Sequence, residues 1–128
     1  LDMFDVKQAV YDAIKETNLP LEDTPVMERK KFPYGVFSTI SVTRIRYKNS
    51  YKARHLYRFD IFSTYKGEKE VLDICNDIEQ RVFSRVMSDT RCTYCDINHK
   101  ILDDKEQGPV TKHGVISILV ETLEVPSQ

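Results

Sequence analysis

Apolar and polar positions alternate in two different rhythms along this chain, and the changes of rhythm mark its elements. Val6, Val10, Ala13 and Ile14 recur on one helical face, with Tyr11 and Asp12 toward the other side. Asp5-Val6-Lys7-Gln8 fits a capping box, with Asp5 as N-cap and Gln8 reaching back. Asn18 and Pro20 end this helix. Residues 19–33 hold Pro20, Pro25 and Pro33, which predicts an ordered but irregular connection. From Tyr34 to about Tyr47 the period becomes two. Val36, Ser38, Ile40 and Val42 share one face; Phe37, Thr39, Ser41, Thr43 and Ile45 share the other. Lys48-Asn49-Ser50 is a polar turn, and a second strand runs from about Lys52 to Thr64. Tyr57, Phe59 and Ile61 face one way in it; Leu56, Arg58, Asp60 and Phe62 face the other. Two strands of ~12 residues, roughly 40 Å each, predict a hairpin that projects beyond the body of so small a domain. Gly35 within the first of them predicts a bulge or a close backbone approach.

Gly67 opens a second helix, with Glu68 and Glu70 early and Arg81 and Arg85 late, an order that suits the helix dipole. Val71, Ile74, Cys75, Ile78, Val82 and Val86 form its apolar stripe, so it should lie on a sheet. Ser88-Asp89 break it. A third strand runs from about Cys92 to Leu102, residues 103–109 form a polar loop, and a last strand runs from Lys112 to Glu124. The expected fold is α+β in one domain, residues 1–128. It is a four-stranded, mostly antiparallel sheet with two helices on one face, in the order α-β-β-α-β-β with a long first hairpin. Val10, Ile14, Phe59, Ile61, Val71, Ile78, Val82, Ile118 and Val120 should pack together.

Composition narrows the class. At 128 residues the chain has room for one core; 41% apolar and 30% charged residues are globular proportions. No apolar run approaches the roughly 20 residues that span a bilayer. No basic segment followed by an apolar one opens the chain, so no secretory signal is expected. The formal charge is −1, yet residues 29–59 hold nine basic side chains and no Asp or Glu. These are Arg29, Lys30, Lys31, Arg44, Arg46, Lys48, Lys52, Arg54 and Arg58. Such segregation suits a polyanion partner or the acidic part of a neighbouring copy. It equally suits a solvated hairpin that guards its edges with Lys and Arg.

Candidate chemistry is sparse. Cys92-Thr93-Tyr94-Cys95 is a C-x-x-C followed by His99, but on a strand Cys92 and Cys95 should point to opposite faces, too far apart for one tetrahedral ion. With Cys75 on the helical stripe, the three thiols read as small buried apolar groups, with no disulfide, metal or cofactor expected. His55, His99 and His113 read as strand residues rather than general bases. Asp103, Asp104 and Glu106 lack the spacing of a calcium loop. No P-loop, G-x-G-x-x-G, G-x-S-x-G or H-E-x-x-H motif occurs, and no enzyme is expected. Tyr47, Tyr51, Tyr57, Phe59 and Phe62 interleave with Arg and Lys, a pattern on which bases could stack, although Phe59 and Ile61 also fit a core.

Three stretches carry a resemblance. Phe32-Pro33-Tyr34-Gly35-Val36-Phe37 resembles the start of the first strand of phage tail-completion proteins. Tyr57-Arg58-Phe59-Asp60-Ile61-Phe62-Ser63-Thr64 with Gly67-Glu68-Lys69-Glu70 resembles that family's second strand and the opening of its second helix. Lys112-His113-Gly114-Val115-Ile116-Ser117-Ile118 resembles its last strand. The family is the tail terminators, or tail-to-head joining proteins, of long-tailed phages, and the similarity runs over nearly the whole chain. It implies a structural virion protein whose copies close into a ring, commonly of six. The ring caps the tail tube, ends its polymerisation and meets the head–tail connector, without active site or cofactor. The implied partners are other copies of itself, the tube protein, the connector and DNA passing through the ring without sequence-specific contact; no membrane is implied. The implied location is the head–tail junction of the virion, after assembly in the host cytoplasm. Arg44, Arg46, Lys48, Lys52 and Arg54 are the expected subunit contact, with Asp103, Asp104, Glu106 and the helical Asp73, Asp77 and Glu79 as its complement. A nucleic-acid-binding domain using residues 29–59 is the alternative.

Overall fold

In a computed structural model, which describes residues 4–25, 31–104 and 109–125, the chain folds as α+β. The elements are α1 (Val6–Lys15), β1 (Leu21–Glu22), β2 (Tyr34–Arg46), β3 (Tyr51–Ser63), α2 (Lys69–Met87), β4 (Cys92–Asp103) and β5 (Lys112–Glu124). Asp5 caps α1 by accepting the Gln8 backbone N–H at 3.0 Å. The reciprocal half of the box does not form, because the Gln8 side chain donates to Asp12 instead, at 2.7 Å. Past the C-cap Glu16, Asn18 takes a left-handed backbone with φ 61°.

Among the described residues the sheet has five strands in the order β1-β2-β3-β5-β4, one more than the four expected. The added strand is β1, in the segment expected to be irregular. It pairs parallel with β2, Leu21 opposite Gly35 and Glu22 opposite Val36, which makes the sheet mixed. The Gly35 N–H donates to the Pro20 carbonyl at 2.8 Å, so the chain after α1 is drawn onto the sheet edge. All other pairings among the described residues are antiparallel. The hairpin β2–β3 does not project beyond the body. β3 pairs with β5 along its whole length, from Tyr51 opposite Glu124 to Ser63 opposite Lys112.

Both helices pack on one face. Tyr57, Phe59 and Ile61 of β3 lie beside Ile118, Ile116 and Gly114 of β5. With Val120 they meet Val6, Val10, Ala13 and Ile14 of α1 and Val71, Cys75, Ile78, Val82 and Val86 of α2 in one buried cluster. All nine expected core residues belong to it. Glu16 forms ion pairs with Arg81 and Arg85, tying α1 to α2.

Gly35 answers to the second of its two expectations. The Phe59 ring lies against its backbone. The bulge of β2 falls further on, between Thr39 and Ser41, which pair with the consecutive residues Tyr57 and Leu56. Ile40 is therefore the extra residue, and the even-numbered face expected from Val36 to Val42 changes sides there. Val36 and Ser38 lie on the open face, whereas Val42 pairs with His55 on the helix side.

Among the described residues, the opposite face of the sheet carries no helix. A second buried cluster sits at one end of it, built from Tyr34, Val36, Phe62 and Val110 with Phe32 beside them. Tyr34 stacks on Phe62 with ring centres 5.0 Å apart, and His113 stacks on the other side of Phe62 at 4.5 Å. No described helix is long and apolar enough to cross a membrane.

Candidate assembly surface

The cross-strand register decides where the basic residues go, and it divides them. Arg44 pairs with Ala53 and Arg46 with Tyr51, on the helix side; Arg54 and Lys52 pair with Thr43 and Ile45, on the open face. Lys48 sits in the turn. The five expected contact residues therefore share one end of the sheet without forming one continuous patch. Arg44 and Arg46 line a hollow of about 560 Å³ together with Lys7, Tyr51, His55 and Glu124. The Arg46 guanidinium lies over the Tyr51 ring, 5.0 Å from its centre. Among the described residues no carboxylate pairs with Arg44, Arg46, Lys48 or Lys52, whereas Arg54 reaches Glu121 at 3.6 Å. Arg58 belongs elsewhere, gripping Asp60 with two hydrogen bonds of 2.9 Å. Arg29 and Lys30 lie outside the described residues.

The expected acidic complement is already engaged within the subunit. Asp73 pairs with Lys69 at 2.9 Å and Asp77 with Arg81 at 2.8 Å. Glu79 pairs with His99, and Asp103 with Lys112. Asp104 approaches His113 at 3.9 Å. Glu106 lies outside the described residues. Asp103 opposes Lys112, and Lys112 opposes Ser63, so the acidic loop leaves the end of the sheet remote from the turn at 48–50. One subunit cannot bring the two together.

The C-x-x-C also departs from its expected geometry. Cys92 pairs with Thr122 and Cys95 with Val120, and the register shifts between Cys92 and Tyr94. An extra residue, Thr93, therefore brings both thiols to the helix side rather than to opposite faces. They pack on the core, and Cys92 donates to the Met87 sulfur at 3.5 Å. Burial pushes the Cys75 and Cys95 thiols up to about 12 and raises Cys92 as well. All three are free thiols, and their burial favours the protonated form. Among the described residues no three His, Cys, Asp or Glu side chains group closely enough to hold a metal ion.

Each histidine has a partner. His55 is half-buried beside the Tyr57 hydroxyl at 3.2 Å, and burial, then Arg44, lower its pKa below the ordinary value. His99 bonds Glu79. His113 bonds Asp60 at 2.6 Å. Burial alone would raise the Asp60 carboxyl; hydrogen bonds from His113 and Arg58 outweigh it and hold the group below the usual carboxylate range. This Arg58–Asp60–His113 cluster on the open face is legible only in the register, because Asp60 and His113 are 53 residues apart.

Apolar side chains stand out at the other edge. Phe83, Met87 and Tyr94 are exposed beside β4. A groove of about 420 Å³ runs between α2 and that edge, lined by Glu79, Gln80, Phe83, Cys95, Asp96 and Ile97. No protein-family model matches the chain, and no curated protein matches it.

Proposed function

We propose that this chain is a structural assembly subunit that closes into a ring of identical copies, as the phage tail terminators it resembles do. In that role the ring caps a finished tail tube, stops addition of tube protein and presents its far side to the head–tail connector, with DNA passing through. The virion's head–tail junction is its place of work.

One observation carries the reading: the sheet ends in two unlike free edges. Beyond Val36 the β2 edge carries Arg44 and Arg46, which no described carboxylate pairs. The β4 edge is flanked by exposed apolar groups. Ring closure requires a heterologous contact, in which one patch of a subunit meets a different patch of the next. A molecule with two dissimilar edges on opposite sides supplies such a pair. The test is the mass in solution. A ring gives a multiple of 15.0 kDa without added ligand, and electron microscopy of the purified protein shows annuli. A monomer at all accessible concentrations rejects the proposal.

The unpaired cations of the hairpin also favour a second reading, a nucleic-acid-binding domain. That protein would be monomeric or dimeric, with an affinity falling steeply as salt rises. The division of Arg44 and Arg46 from Lys52 and Arg54 weighs against it, since one row of phosphates meets only one face of the sheet.

A further inference from the structure

We propose that the groove between α2 and the outer edge of β4 receives the free edge of β2 from a second copy, so that the sheet runs on from one subunit into the next. This rests on the ring reading and names the two surfaces that would build it.

Strand sense comes first. β2 is antiparallel to β3, β3 to β5, and β5 to β4, so β4 runs opposite to β2. Two copies set side by side with the same end up therefore bring β4 against β2 in the antiparallel sense, without inverting either copy. Ring symmetry demands that like orientation. Both edges are open to it: among the described residues β1 covers β2 only at Gly35 and Val36, and no strand lies outside β4. Unpaired backbone donors and acceptors along such edges are the usual template for strand addition.

The side chains agree in kind. On β2, Ile40 and Ile45 are 54% and 48% exposed. Phe83 and Tyr94, at 49% and 47%, flank the receiving edge. Large apolar groups on both edges gain by covering one another. Joining β2 to β2, or β4 to β4, would instead set like edges together, the first of them with its arginines opposed.

Register fixes which halves meet. Thr43, Arg54, Glu121 and Tyr94 form one row across the open face. Unstaggered copies therefore place the hairpin half of β2 against residues 92–96, and not against the acidic loop that begins after Asp103.

Two measurements on the full chain test this. Phe83→Lys should reduce the ring to 15.0 kDa monomers with an unchanged circular dichroism spectrum, and Tyr94→Lys provides a second variant at the same edge. In oxidising buffer, Thr43→Cys or Ile45→Cys protein mixed with Tyr94→Cys protein should form a disulfide-linked dimer that neither variant nor the wild type forms alone. Rings that persist in both lysine variants, with no mixed dimer, overturn this interface while leaving the ring reading intact. A wild-type monomer overturns both.

Discussion

The ring of Phe59 occupies the space where a side chain at position 35 would begin: a Cβ on Gly35 would lie 2.1 Å from Phe59 Cζ. Phe59 is fully buried under α1 and α2 and has little room to withdraw. Gly35→Val should therefore lower stability by about 1–3 kcal/mol, the usual cost of overfilling a packed core. The check is a lower urea midpoint at constant m value. Adding Phe59→Leu to the same chain should recover part of the loss. An unchanged midpoint in Gly35→Val would show that the ring turns aside freely.

Two residues of α2 separate its inner and outer faces. Ile78 is completely buried and Phe83 about half exposed. Ile78→Ala should cost about 2–5 kcal/mol by loss of buried area and creation of a cavity. Phe83→Ala, measured on the monomeric Tyr94→Lys background, should change stability by no more than about 0.5 kcal/mol. Equal losses in chemical denaturation would contradict the orientation of the helix.

Acid should weaken the open-face cluster. The native Asp60 carboxyl lies below its ordinary 3.8, so folding favours its ionised form. That contribution is present above the ordinary value and is lost as pH falls through the lowered one. Asp60→Asn should cost about 1–3 kcal/mol near neutral pH, since His113 and Arg58 lose a charged acceptor. Arg58 is nearly half exposed, so solvent screens its share. The difference between wild type and variant, followed by thermal melts, should shrink below pH 3.8. A difference that stays constant with pH would assign the effect to packing.

Salt and charge reversal should act unequally on the hairpin. Arg44 and Arg46 lie on the edge strand, whereas Lys52 and Arg54 lie on β3, one strand inward by about 4.8 Å. Arg44→Glu with Arg46→Glu should shift the assembly to smaller species, and high salt should do so in the wild type. Lys52→Glu with Arg54→Glu should leave it larger by comparison. Analytical ultracentrifugation of the two double variants reads the contrast, and equal behaviour would remove the edge strand from the contact.

Periodicity made most of the fold legible before any coordinates. The stripe from Val71 to Val86 placed α2 on the sheet, and Tyr57, Phe59 and Ile61 chose the buried face of β3. What failed to show were features made by one residue or by distant partners. β1 has two residues, too few to display any period, and its pairing depends on Gly35 reaching the Pro20 carbonyl. Thr93 and Ile40 each reset an alternation that looks regular in sequence, which misplaced Cys92 relative to Cys95 and merged two basic pairs into one patch. The Asp60–His113 contact and the groove beside Phe83 arise from strand order, which local pattern does not encode.

Ile40 has a consequence for shape as well as for facing. Because it pairs with no residue of β3, its deletion would leave every later residue of β2 opposite its present partner and on its present side. What would change is the extra bend and twist that a bulge gives to its strand. The shortened protein would keep Arg44, Ile45 and Arg46 on their present sides, lose one exposed apolar group, and present the edge at a different pitch. In an assembly whose copy number follows from the angle between neighbours, this single isoleucine would act as a setting of curvature as well as a contact.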